Sequence, residues 1–335
     1  MFREIAEIPA VVERQINELL PVYLEIGKML VTRSGPIITC ARGTSDQAAQ
    51  YFKFLVESGT GRPVTSMPPS IASVYHSKLK LEDGVCLSIS QSGGSPDLLA
   101  LQNAAQEGGA IAVSVLNTIP SPMSVNSDYS LPLVAGKENA VAATKSFVAS
   151  LVAVAAIYAG MKNDTSLIEA LKILPDSLDK SLGMNWDAAT DAFKNSQSLF
   201  VLGRGAGYAI AGEASLKLKE TCQIHAESYS AAEVQHGPMV LARKKLAVLA
   251  FFPSGRGHES VLKSVEIFSR NGASVFTVGS DLGTASNLSS APSPHFLLNE
   301  ICQITSFYKF VEKLSCHMGL NPDKPPLLNK ITETI

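Results

Sequence analysis

Continuous apolar runs broken by glycine and serine, more than strict alternation, set the pattern of this chain. Residues 36–43 (PIITCARG) form a β-branched run that breaks at Arg42-Gly43, and residues 198–205 (SLFVLGRG) repeat it 162 positions later, breaking at Arg204-Gly205. A second run ends at Ser92-Gly93 in the first half and at Ser254-Gly255 in the second, again 162 apart. A third, GAIAVSV from Gly109, recurs as GASVFTV from Gly272, 163 positions on. Three matches in register identify an internal duplication. Each half reads helix, strand, helix, strand, helix, strand. Uninterrupted apolar strands between helical patterns predict parallel sheets covered on both faces. The fold class is therefore α/β, as two duplicated doubly wound parallel-sheet domains with sites at the carboxyl ends of the strands. A polar, helix-rich stretch at 163–184 links them, and the longest apolar run, 147–161, is too short and alanine-rich for a membrane span, so it predicts a buried helix.

Composition narrows the function classes. A length of 335 residues suits two domains, and 46% hydrophobic with 17% charged residues is too apolar for a disordered chain. A net charge of −2 gives no general attraction to nucleic acid or anionic membrane, so a phosphate-bearing ligand needs local donors. The five cysteines (Cys40, Cys86, Cys222, Cys302, Cys316) show no metal spacing and read as reduced and mostly buried; no metal and no cofactor is expected. GRGAGY from Gly203 imitates part of a dinucleotide fingerprint, but it is the turn of the repeat. The amphipathic N-terminus, with acidic residues and no signal-peptide core, gives the expectation of a cytoplasmic protein without a membrane partner.

Two kinds of chemistry stand out. Arg42-Gly43-Thr44-Ser45-Asp46 follows a strand and opens a helix, so hydroxyls, a permissive glycine and helix amides converge on one turn. The loop Ser90-Gln91-Ser92-Gly93-Gly94-Ser95-Pro96-Asp97 repeats this logic, with Ser95 or Asp97 placed to cap a helix whose first turn holds Pro96. Such residues also make plain tight turns; two hydroxyl-rich loops at neighbouring strand ends favour an anion site. The corresponding second-half loops, GRGAGY and PSGRGHES, carry fewer hydroxyls, so the copies have diverged or the second set forms an effector site. The second feature is EASLKLKETCQIHAESYSAAEVQHG at 213–237, read as a helix followed by an acidic, histidine-containing turn. Lys217 and Glu220 share a helix face, and His236 sits at a turn before Gly-Pro. Glu220, if desolvated, is the choice for a base acting on a carbon-bound proton. His225 reads as structural.

These segments resemble the tandem sugar isomerase (SIS) family, in particular the isomerase half of glucosamine-6-phosphate synthase and stand-alone SIS-type deaminases. The resemblance rests on REIAEIP near the start, GTS at 43–45, SQSG at 90–93, AVAATKSF at 140–147, LKLKE at 216–220, IHAESY at 224–229 and QHGP at 235–238. It implies a flavodoxin-like SIS fold, with domains at 1–165 and 185–320 and an active-site tail at 321–335. It further implies that Thr44, Ser45, Ser90, Gln91, Ser92 and Ser95 bind a phosphosugar and that Val141 and Ala143 line it; Arg42 and Gly43, of the same loop, are counted with the substrate-binding residues, Arg42 as a side chain able to pair with a phosphate or a carboxylate. Glu220 would shuttle a proton between carbons 1 and 2, with Lys217 in support. His236 would open the ring, reaching a neighbouring subunit's site in a homodimer, and Lys330 would contact the open-chain sugar or form an imine with it. The sequence departs from the family at Arg42 (usually Cys), Gly94 (Glu), Ala143 (Ser) and Pro326 (Arg). The chain opens at the isomerase half, with no glutaminase segment before it. The expected activity is therefore glucosamine-6-phosphate deamination to fructose 6-phosphate and ammonia. A fructosamine 6-phosphate deglycase, a galactosamine 6-phosphate deaminase, a phosphosugar isomerase and a non-catalytic phosphosugar sensor are the alternatives. The last of these usually brings a basic DNA-binding segment, which this sequence does not show.

Overall fold

The computed structural model describes residues 1–242, 245–283 and 285–330. The first sheet contains β1 (Ile37–Cys40), β2 (Val64–Ser66), β3 (Val85–Ser90), β4 (Ile111–Leu116) and β5 (Tyr129–Pro132), ordered β2-β1-β3-β4-β5, all parallel. The second contains β6 (Ser198–Gly203), β7 (Ala226–Ser230), β8 (Leu246–Phe251), β9 (Ser274–Val278) and β10 (Ser286–Leu288), ordered β10-β9-β8-β6-β7, also parallel. Read from its other edge, the second order is the first, the flavodoxin-like doubly wound arrangement. Every residue of β1, β3 and β8 is buried, which is why these strands read as unbroken apolar runs.

The duplication extends to backbone geometry. Gly43 and Gly205 precede their helices at φ 55° and 62° with the same ψ of −129°. Gly109 and Gly272 also match, at φ 95° and 87°. Each half has five strands where the apolar pattern predicts three. The additional strands are short edges, and β2, β5 and β10 are partly exposed, so they lack a continuous apolar signature. The fourth, β7, corrects the reading of 213–237 as helix then turn: after the helix Ala206–Cys222, residues AESYS pair with β6 as an edge strand.

The chain divides into two compact units, each built around one sheet. The first-sheet unit comprises Ala10–Glu138, Lys145–Lys172 and the described part of Leu328–Ile335; the second-sheet unit comprises Met1–Pro9, Asn139–Thr144 and Ile173–Leu327. Within the second-sheet unit, the Glu4 carboxylate accepts the amides of Asn139 and Ala140, and the Met1 ammonium pairs with Asp323. In the first-sheet unit the expected buried helix runs Lys145–Lys162. Its length and apolarity alone would allow it to cross a membrane, but it is 94% buried inside the protein, as a core helix is. The helix Ile8–Val31 crosses it at backbone contact: a Cβ on Gly27 would lie 2.0 Å from the Ile157 carbonyl, and one on Gly160 would lie 2.3 Å from that of Leu24.

Candidate active site

In the first-sheet unit, the loops after β1 and β3 flank the point where the strand order reverses, the usual place for a ligand in such a sheet. The β1 loop enters the helix Thr44–Thr60. The amides of Ser45, Asp46 and Gln47 bond back to the carbonyls of Arg42 and Gly43 at 3.0–3.4 Å. Those three amides are therefore engaged by the turn itself, which corrects the expectation of a free amide set. The turn carries the hydroxyls of Thr44 and Ser45, both half-buried. Arg42 pairs with a carboxylate of its own chain: Nε and Nη2 both lie 2.7 Å from Asp97 Oδ2, and the Asp97 side chain is fully buried. This pair fastens the β1 loop to the start of the helix Pro96–Glu107.

The β3 loop is held by its own hydroxyls. Ser90 Oγ accepts from the Gly93 amide at 3.1 Å and Ser92 Oγ from the Gly94 amide at 3.3 Å, while the Gln91 carbonyl accepts from Thr118. Gly93, at φ 62°, has no space for a side chain, since a Cβ would meet Ser121 Oγ at 2.3 Å. Pro96 takes the first helical position as expected, but the Ser95 side chain makes no capping bond, and the one helix amide that Asp97 accepts among the described residues is that of the adjacent Leu98, by Oδ1. The Ser95 hydroxyl is thus not consumed by the helix.

In the second-sheet unit, the helix Ala206–Cys222 brings Glu213, Lys217 and Glu220 onto one face through their spacing of four and three. Lys217 is fully buried. Its Nζ lies 2.6 Å from Glu220 Oε2 and 3.2 Å from Glu213 Oε1, and the Tyr308 hydroxyl donates to Glu213 Oε1 at 2.7 Å from the helix Asn299–His317. Burial pushes the Lys217 ammonium down, but the Glu213 and Glu220 carboxylates outweigh it and hold its pKa above the ordinary lysine value. Glu220 is the outward-reaching carboxylate, its side chain 23% exposed against none for Glu213. It is therefore held by an ion pair and partly wet, where the sequence reading required a desolvated group. His236 ends the short 3₁₀ turn Glu233–His236 ahead of Gly237 at φ 140°, and is exposed. His225 is exposed as well, not a buried structural histidine; its carbonyl accepts from the Leu199 amide.

Lys330 belongs to the first-sheet unit, and residues 331–335 of the expected active-site tail lie outside the described residues. Its ammonium is 3.3 Å from Glu138 Oε2, a buried carboxylate that also accepts from Ser146 Oγ at 2.6 Å and the Ser146 amide at 3.2 Å. Glu138 and the buried Lys145 were not singled out from sequence. The signal available was a Glu and a Lys bracketing the small-residue run NAVAAT, directly before the most apolar helix. Val141 and Ala143 are half-buried in the second-sheet unit, where the Val141 amide donates to the Asp323 carbonyl at 3.1 Å. That amide is already engaged. Among the described residues, no group of three or more His, Cys, Asp or Glu side chains is placed to hold a metal ion.

The class defined here is a duplicated doubly wound protein with hydroxyl-rich loops at the switch point of one sheet and a buried lysine–glutamate pair beside the other. The SIS domain model matches residues 30–159 and 192–308, one segment for each sheet, and the chain belongs to the SIS domain family. It is 30% identical over 338 residues to the isomerizing glutamine–fructose-6-phosphate aminotransferase of Sulfolobus acidocaldarius, covering 98% of this chain and 56% of that relative. The chain thus spans just over half the length of that protein. A crystal structure from Silicibacter pomeroyi DSS-3, provisionally named a phosphosugar isomerase, matches with a TM-score of 0.91 and 38% identity, over 96% of this chain and 98% of that one. The C-terminal domain of glucosamine-fructose-6-phosphate aminotransferase from Francisella tularensis matches with a TM-score of 0.87 and 26% identity, over 97% of this chain and 98% of that one.

Proposed function

We propose that the chain is a glucosamine-6-phosphate deaminase, converting glucosamine 6-phosphate and water to fructose 6-phosphate and ammonia. The observation that carries this reading is the Lys217–Glu220 pair, a buried ammonium holding a partly exposed carboxylate on a fixed helix face. A carboxylate held in this way can take a proton from carbon and give it back. Thr44, Ser45, Ser90, Gln91, Ser92 and Ser95 hold the phosphate, and His236 opens the ring. Glu220 removes the proton from carbon 2 as the aldehyde oxygen takes up a proton, giving an enolamine between carbons 1 and 2; it then returns a proton to carbon 1 as the nitrogen loses one, leaving a hydroxyl on carbon 1. The ketimine left at carbon 2 adds water and releases ammonia. Water is in vast excess over free ammonia, so an imine formed by these residues alone runs to hydrolysis. Lys330, whose ammonium lies 3.3 Å from Glu138 Oε2, takes the role of the amine that contacts the open-chain sugar. His236, which is exposed, is assigned to the partner's site of a homodimer on the resemblance alone.

Ammonia and fructose 6-phosphate should appear in equal amounts when the purified protein is given glucosamine 6-phosphate. The name carried by the 38% identical structure favours a second reading, a phosphosugar isomerase that keeps its substituents. Interconversion of glucose 6-phosphate and fructose 6-phosphate by a protein that releases no ammonia from glucosamine 6-phosphate would establish that reading instead. The phosphate assignment has its own test. Thr44→Ala combined with Ser92→Ala should raise KM by about tenfold or more, the scale of one or two hydrogen bonds to a charged group, with a smaller fall in kcat. An unchanged KM in the double variant would move the phosphate to other loops.

A further inference from the structure

We infer that Tyr308 is a positioning residue for this site, holding Glu213 as a charged acceptor and thereby fixing the Lys217 ammonium that in turn holds Glu220. The inference rests on the reading of Glu220 as the base. Tyr308 lies on the helix Asn299–His317, fully buried, and its hydroxyl meets Glu213 Oε1 at 2.7 Å. A buried phenol requires a polar partner, and one bonded to a carboxylate makes the stronger, charge-assisted kind of bond. Glu213 is fully buried too, and Oε1 is shared between Tyr308 and Lys217. The relay runs from Tyr308 to Glu213, from Glu213 to Lys217 and from Lys217 to Glu220, so a hydroxyl on one helix bears on a carboxylate at the rim of another.

The choice of a phenol has a physical consequence. Two carboxylates and one ammonium leave the cluster with one net negative charge. A second cation facing Glu213 would cancel that charge and weaken Glu220 as a base. A neutral donor secures Glu213 without adding charge. Charged groups on neighbouring elements complete the surroundings. Lys219 bonds Ser215 and the Ala226 carbonyl and also feels Glu227 of β7 and Glu220; Glu227 accepts from Tyr229, Glu312 meets Cys316, and Glu4 takes the Asn139 and Ala140 amides. On the helix of Tyr308, Lys309 and Lys313 bond the Leu182 carbonyl and Asp187, and burial pushes the Glu300 carboxyl up to about 8. Strands β6 and β8 contain no titratable residue.

A hydrogen bond to the charged form of a carboxylate favours that form, so removing it lets the cluster gain a proton at higher pH. Tyr308→Phe deletes only the hydroxyl. The acidic limb of the kcat profile for glucosamine 6-phosphate should then move up by about one pH unit, the scale of one such bond, with KM nearly unchanged. Thermal unfolding of the same protein confirms that it is folded. A folded Tyr308→Phe protein with a wild-type profile would overturn the inference, as would a uniform loss of activity at all pH values. Should that variant not fold, a fluorinated tyrosine introduced at position 308 keeps the shape and donates more strongly. Its acidic limb should move down, and an unmoved limb would equally overturn the inference. Failure of the underlying reading looks different: wild-type protein that exchanges no carbon-2 proton of glucosamine 6-phosphate with heavy water, or a Glu220→Gln protein that still does.

Discussion

Glu220→Gln is expected to lower turnover of glucosamine 6-phosphate by roughly 100- to 10,000-fold, the usual contribution of a positioned acid–base group. Glutamine keeps the length of the side chain and leaves an oxygen for Lys217, which lies 2.6 Å from Glu220 Oε2 in the wild type. It cannot accept a proton. Binding of the sugar phosphate, measured by calorimetry, should stay within about threefold, because the loss falls on the transition state and not on the ground state. Steady-state kinetics on the same sample separate the two effects. Near-normal turnover would remove Glu220 from the mechanism and leave Glu138, a buried carboxylate beside the candidate Lys330, as the group to test.

Lys217→Met carries the largest expected cost in stability. The ammonium is fully buried between Glu213 and Glu220, so its removal takes away the cation that both carboxylates face. Breaking a buried pair in this way costs about 3–5 kcal/mol, which urea unfolding would register as a clear fall in the midpoint. The pH dependence has a definite sign. In the wild type the folded pKa of Lys217 lies above its ordinary 10.5, so its contribution is complete below that value and fades only as pH rises through the higher folded one. From pH 5 to 9 this group therefore adds no slope. In the variant, the buried Glu213 no longer faces the Lys217 ammonium, so its charged form is the costlier one to bury. Stability should then be greatest in acid and decline toward neutral pH. A variant equally stable at pH 5 and pH 8 would show that Glu213 is not charged in the fold. Activity should fall with it, since Glu220 loses the group that holds it.

The duplication was legible because it is written in residues that have little choice. Gly43 and Gly205, and Gly109 and Gly272, occupy positive-φ positions that favour glycine, so the repeat survives there while the surrounding side chains change. The central strands announced themselves because both faces are covered. The edges did not: Val64–Ser66 and Ser286–Leu288 are three residues each, and their exposed positions look like loop. The strand Ala226–Ser230 was hidden by its polar side chains, which sit at a sheet edge. Of the candidate site, the spacing of Lys217 and Glu220 predicted that they meet. Sequence could not indicate that Glu213 and Tyr308, 95 positions apart, complete the cluster, because that contact depends on how two helices pack. Nor could it show that Arg42, counted among the substrate-binding residues, pairs with the buried Asp97, or place 139–144 and the first nine residues with the second sheet. Such exchanges of segment leave no periodic trace.

The measurement that bears most directly on the central claim follows the carbon-2 proton. Glucosamine 6-phosphate labelled with deuterium at carbon 2 is given to wild-type and Glu220→Gln protein, and the product is read by proton and deuterium NMR. A single carboxylate serving both carbons predicts fructose 6-phosphate with part of the deuterium at carbon 1 from the wild type, together with ammonia, and neither product nor transfer from the variant. Labelled or unlabelled fructose 6-phosphate formed by the Glu220→Gln protein at a rate close to wild type would contradict it.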